Sequence, residues 1–84
     1  MTEPGSGRWV RTFATDIEPG DLIRRNGAER RVVTRDYPPV TEPSFHVEYA
    51  AGDENLGKLT QVEIWDPDGS VSQRVQDISA QADQ

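Results

Sequence analysis

The sequence predicts an all-β fold: a small, strongly bent antiparallel sheet or barrel of five to six short strands. Three observations carry that expectation. Ser44 to Tyr49 alternates apolar and polar residues, with Phe45, Val47 and Tyr49 set against His46 and Glu48. Turn signals at Glu18-Pro19-Gly20-Asp21, Asn26-Gly27 and Asp66-Pro67-Asp68-Gly69 divide the chain into short runs. No run of useful length shows helical periodicity.

Arg8 to Ala14 reads as the first strand. Trp9, Arg11 and Phe13 share one face and Val10, Thr12 and Ala14 the other. The aromatic face is expected to meet the core, with the Arg11 stem between the rings. Pro19 presets φ and Gly20 accepts positive φ, which suits a type II turn leading into a strand. Asn26-Gly27 is the strongest hairpin signal, because both residues tolerate positive φ. A two-residue loop there pairs Ile23 with Arg30 and Leu22 with Arg31. Leu22-Ile23 and Val32-Val33 place one apolar side chain on each face. The hairpin, about Asp21–Arg25 and Ala28–Tyr37, is therefore expected to be covered on both sides, as in a small barrel or a packed dimer.

Pro38, Pro39 and Pro43 make the next segment a stiff extended loop. Ser44 to Tyr49 follows as the clearest strand, with Phe45, Val47 and Tyr49 inward and His46 facing water. Ala50 to Gly57 reads as a turn region, with two glycines around Asp53, Glu54 and Asn55. Lys58 to Trp65 is a strand in which Val62 and Ile64 join the core. Asp66 to Gly69 reads as a hairpin turn, and Ser70 to Val75 as the returning strand. That register sets Trp65 opposite Val71 and leaves Trp65, Val71 and Val75 as an apolar patch outside the core. The patch is a candidate protein interface. Ile78 or Trp9 folding over it is the alternative, and so is a one-residue slip that turns Trp65 inward.

One domain is expected over residues 8–75, with disordered or weakly ordered tails at 1–7 and 76–84. About 68 residues make a core of marginal size, which favours a partner, a ligand or self-association. The chain has no cysteine, which excludes disulfides and thiolate metal sites. No apolar run reaches membrane-spanning length and no signal peptide is visible, so a cytoplasmic protein is expected. The net charge of −6 is unevenly spread. Residues 8–35 carry seven arginines against four acids, and residues 36–84 carry two bases against ten acids. The preferred reading is that these charges pair across strands as the halves fold together.

The succession I-E-P-G-D-L-I, a tight turn, E-R-R-V-V and later F-H-V-E-Y resembles small SH3-like barrels. Within these it is similar to short proteins of actinobacteria and their phages. The resemblance covers roughly residues 9–65. It implies a fold and carries no activity onto particular residues.

Catalytic chemistry finds little to work with. His46 is the only histidine and no serine lies in a nucleophile-elbow motif. Asp66-Pro67-Asp68-Gly69 lacks the ligand number and spacing of a calcium loop and reads as a turn. No metal, cofactor or enzyme activity is expected. Two binding readings remain. The first is a non-enzymatic interaction module for a protein partner or a second copy of itself. The second is nucleic-acid or nucleotide binding through Arg24, Arg25, Arg30, Arg31 and Arg35, with Trp9 or Tyr37 as stacking surfaces. The overall negative charge opposes the second.

Overall fold

In the computed structural model, which describes residues 7–78, one six-stranded antiparallel sheet bends round a single core. The strands are β1 (Arg8–Phe13), β2 (Leu22–Arg25), β3 (Ala28–Arg35), β4 (Ser44–Tyr49), β5 (Gly52–Gly57) and β6 (Gln61–Asp66). Their spatial order is β1-β6-β2-β3-β4-β5. A 3-10 turn, Ala14–Asp16, follows β1, and one short helix, α1 (Ser70–Arg74), follows β6. The strongly bent sheet is what forms. The closed barrel is not, since no ladder joins β1 to β5. The expected tails fall mainly on residues 1–6 and 79–84, which lie outside the described residues.

β3 belongs to both halves of the sheet. Its first half pairs with β2 in the register Leu22 to Arg31 and Ile23 to Arg30, as the two-residue loop requires. Asn26 and Gly27 take φ of 55° and 81°, the paired left-handed values of a type I′ turn. Its second half pairs with β4, with Val32 opposite Tyr49 and Thr34 opposite Glu48. Val33 is the extra residue between them, a β-bulge that bends the strand. The Glu18–Asp21 turn forms as its chemistry dictates. The Asp21 amide donates to the Glu18 carbonyl at 3.1 Å, and Gly20 sits at φ 94°.

The bend folds the inner faces of the two halves onto each other. Phe45, Val47, Tyr49, Val62 and Ile64 are buried together, as their alternation predicts. Val10, Ile23, Val32 and Leu56 complete the strand contribution, and Ala14 and Ile17 are fully enclosed between strands. Val33 is 55% exposed, so β3 is covered on one face only, contrary to the expectation for the hairpin.

Three other expectations are corrected. In β1 the core face is Val10 and Thr12, not Trp9 and Phe13. The rest of the core is Val, Ile and Leu with Ala14 and the rings of Phe45 and Tyr49. The indole stays outside. Ala50 to Gly57 is mostly strand: only Ala50-Ala51 turns, and Gly52–Gly57 pairs with all of β4. Ser70 to Val75 does not return as a strand. Val71 and Val75 lie four apart, a spacing that shares a face in a strand and in a helix alike.

Asp66 decides between the two. Its side chain is 2% exposed, and its carboxylate accepts the Gly69 amide at 2.8 Å and the Val71 amide at 3.2 Å. It also takes the Ser72 amide at 3.0 Å and the Ser72 hydroxyl at 2.7 Å. These are the unpaired amides of a first helical turn, which a strand would have needed for its ladder. The helix then seats Val71 and Val75 in the core.

Burial alone would raise the Asp66 carboxyl. The Ser72 hydroxyl and the amides of Ser72, Val71 and Gly69 outweigh it and hold the group below the ordinary carboxylate range. Its contribution to stability is therefore complete above about pH 4 and is lost as pH falls through the depressed folded-state value. Asp66→Ala should cost roughly 2–4 kcal/mol in urea unfolding. Asp66→Asn should flatten the acid limb of the stability curve. An Asp66→Asn limb as steep as the parent's would show that Asp66 is not the group being titrated.

Candidate functional site

The outer face of β1, β6, β2 and β3 carries a row of alternating charge. Register places Arg11 beside Glu63, Glu63 beside Arg24, and Arg24 beside Glu29. Neighbouring strands that expose opposite charges attract rather than repel, so the row supports strand order. Arg24 makes the tightest of these contacts, with its Nε donating to Glu63 Oε1 at 2.9 Å. The Arg24 guanidinium also lies over the Trp9 ring, 4.2 Å from its centre.

Each arginine named from the sequence can now be placed. Arg25 donates to Glu54, crossing from β2 to β5 on the inner side of the sheet. Arg30 lies over the Tyr49 ring at 5.3 Å. Arg31 donates to the Gly20 carbonyl at 2.7 Å and so braces the turn before β2. Arg35 donates to the carbonyls of Thr15 and Ile17 at 2.9 and 3.1 Å. Its guanidinium sits against both the Tyr37 and Phe45 rings, at 4.2 and 4.3 Å. The five do not form one basic stripe. Four are hydrogen-bonded within the fold, and the two proposed stacking rings, Trp9 and Tyr37, already carry arginines of this chain.

Trp65, Val71 and Val75 do not form one patch either. Val71 and Val75 are 6% and 9% exposed and belong to the core. Trp65 pairs with Trp9 across β1 and β6, and the two rings meet edge to face at 5.3 Å. The backbone of Gly7 lies so close to the Trp65 ring that a Cβ there would strike it. Part of the indole is thus covered by the chain's own first strand. The strand-hairpin register that grouped these residues is absent because Asp66 starts a helix.

At the tip of the β2–β3 hairpin the sheet leaves two openings that share Arg25 and Asn26. The larger, about 340 Å³, is an open cleft lined by Arg11, Arg24, Arg25, Asn26, Gln61 and Glu63. The smaller, about 110 Å³, lies over Arg30, Tyr49 and Glu54. Between them Arg25, Glu54 and Tyr49 form a chain: Glu54 accepts from Arg25 on one oxygen and from the Tyr49 hydroxyl on the other, at 2.7 Å for Tyr49. Burial and the Glu54 hydrogen bond push the Tyr49 phenol well above its usual range. Burial would raise Glu54, but the bonds from Arg25 and Tyr49 prevail and lower it. The phenol therefore stays protonated and the carboxylate ionised at neutral pH, an arrangement that holds position and moves no proton. Among the described residues Arg25 Nε is buried without an acceptor.

A second surface lies on two loops. The 36–43 loop makes a turn at Pro39–Glu42, where the Glu42 amide donates to the Pro39 carbonyl at 3.0 Å. The Gly57–Thr60 turn is closed by the Thr60 amide on the Gly57 carbonyl, also at 3.0 Å. Lys58 joins them. Its amide donates to the Pro43 carbonyl at 2.9 Å, and its Nζ donates to Pro39 and Val40 at 2.9 and 3.3 Å. Val40 and Leu59, each at a corner of its turn, are 96% and 80% exposed. Sequence reading passed over both, since a single valine or leucine in a polar turn carries no periodic signal.

His46 lies on the outer face of β4, with Nδ1 2.9 Å from Asn55 Oδ1 and Nε2 3.0 Å from Asp53 Oδ2. The Asn55 bond raises its pKa; partial desolvation opposes this, and Asp53, Asp36 and Glu48 add to the rise. Among the described residues no group of acidic or histidine side chains is placed to hold a metal ion, and no helix is long and apolar enough to cross a membrane. No known protein family, curated protein or solved structure matches this chain.

The Arg25–Glu54 tie invites a direct check. Arg25→Ala should destabilise by roughly 1–3 kcal/mol, because Glu54 then stays partly buried without its cation. Combined with Glu54→Ala in a double-mutant cycle, the loss should be clearly less than additive. Strict additivity would mean the two side chains do not act on each other.

Proposed function

We propose that this chain is a non-enzymatic interaction module whose surface is the pair of turns presenting Val40 and Leu59 to another protein. The carrying observation is the Lys58 clasp. It fixes two loops against each other while leaving an aliphatic side chain bare on each. Exposed apolar residues scattered singly need no explanation, but these two sit on turns tied by one lysine. Pro38 and Pro39 stiffen the first loop, so little conformational freedom remains to be lost on binding.

The partner is a different protein with an apolar groove. Both side chains project from turn corners, and a projecting surface is not complementary to its own copy across a two-fold axis. Nucleic-acid binding draws less support, since the arginines it needs are engaged in ion pairs, carbonyl contacts and ring contacts within the fold.

The test is a purified pair. A partner recovered from native cells should bind the isolated chain, and Val40→Asp or Leu59→Asp should weaken that binding about tenfold or more. Neither substitution should shift the melting temperature, because neither side chain is packed. Binding indifferent to both substitutions would overturn the proposal. So would a homodimer, seen by sedimentation, that either substitution dissolves.

A further inference from the structure

We infer that the outer face of β1, β6, β2 and β3 is self-complementary and pairs two copies of this chain face to face, on a surface separate from the Val40–Leu59 turns. The observation is the order of charge across four strands. Register sets Arg11, Glu63, Arg24 and Glu29 in one row: positive, negative, positive, negative. Val10, Ile23, Val62 and Ile64, next to the first three along their strands, point into the core, so the row faces outward. Glu29, directly opposite Arg24, shares its face. The row lies before the Val33 bulge and does not cross the bend. Its ends are exposed, and among the described residues the side chains of Arg11 and Glu29 make no hydrogen bond or ion pair. In its middle Arg24 and Glu63 hold each other at 2.9 Å and remain 35% and 29% exposed.

Symmetry decides what such a row can meet. Two sheets stack with their strands nearly aligned. A two-fold axis parallel to the strands, running between β6 and β2, then turns the row end for end. Arg11 faces the second copy's Glu29, and Glu63 faces the second copy's Arg24. Every position of the row meets its opposite sign, because the row read backwards has each sign reversed. An axis along the row itself would set Arg11 on Arg11 and Glu63 on Glu63, and like charges facing each other repel. Charge thus selects one axis. The adjoining apolar side chains suit the same one. Trp65 stands two residues from Glu63 and Leu22 two from Arg24, on the same face and stepping the same way in the antiparallel register. The axis sets Trp65 against the second copy's Leu22, and both are half-exposed in the single chain. Two terms limit the strength. Each chain carries −6, so two copies repel at long range. Four strands about 4.8 Å apart also make a narrow patch. The dimer is therefore weak and reversible, with a dissociation constant of roughly 10 μM to 1 mM.

The experiment is sedimentation equilibrium of the full chain over a concentration series at low ionic strength, with two charge reversals. The parent should dimerise. Arg11→Glu alone and Glu29→Arg alone should each weaken dimerisation about tenfold or more, because each sets like charges against each other across the axis. An equimolar mixture of the two variants should associate as the parent does, since Glu at position 11 of one then faces Arg at position 29 of the other. Each reversal also puts a like charge beside Glu63 or Arg24 in its own sheet, so its melting temperature should fall by a few degrees at most. The mixture separates a lost interface from a damaged fold, because damage is not repaired by mixing. Val40→Asp should leave the dimer intact, so this surface and the Val40–Leu59 surface stand or fall separately. A parent monomeric up to about 1 mM would overturn the inference. So would a dimer that persists in both variants, or a mixture that associates no better than its components. Growth past the dimer would overturn it too, since a two-fold axis closes at two copies.

Discussion

The fold depends on β3 serving two half-sheets at once. A strand of eight residues pairs with β2 along its first half and with β4 along its second, and the bulge at Val33 lets it bend between them. Without that bend the apolar faces of β6 and β4 would lie side by side on one flat sheet, open to water. With it, Ile64 and Val47 share one core. The Arg25–Glu54–Tyr49 chain then ties the halves at one end, and Arg35 ties β3 to the segment carrying Ile17. The arginines of the β2–β3 hairpin therefore read first as fasteners of a bent sheet. This also accounts for the uneven charge along the sequence: basic residues of the first half meet Glu54 and Glu63 of the second.

Much of this was legible. The Asn26-Gly27 and Glu18–Asp21 turns follow from positive φ at residues that tolerate it, and the Phe45, Val47, Tyr49, Val62 and Ile64 core follows from alternation. The failures are equally physical. β5 reads as a turn because Asp53, Glu54 and Asn55 are poor strand formers taken alone. Their side chains instead meet His46 and Tyr49 on the neighbouring β4, and Arg25 reaching over from β2. The helix after β6 was hidden because Val71 and Val75 satisfy both periodicities, and only the capping by Asp66 separates them. Trp9 and Phe13 share a face as expected, but it is the opposite face, Val10 and Thr12, that enters the core.

The candidate sites were less legible than the fold. The arginines were visible in sequence, whereas their partners were set by register across strands as far apart as β2 and β6. Val40 and Leu59 stand out only once their turns are seen to be clasped by Lys58.

That clasp is the centre of the functional account, because it makes two loop residues a formed surface before any partner arrives. Loops of this kind are ordinarily the most mobile part of a small domain. Backbone order parameters of the isolated chain measure the point directly. Values at Val40 and Leu59 should lie close to those of the strands, about 0.85, and fall on Lys58→Ala. Values below about 0.6 in the parent chain, unchanged by Lys58→Ala, would contradict it.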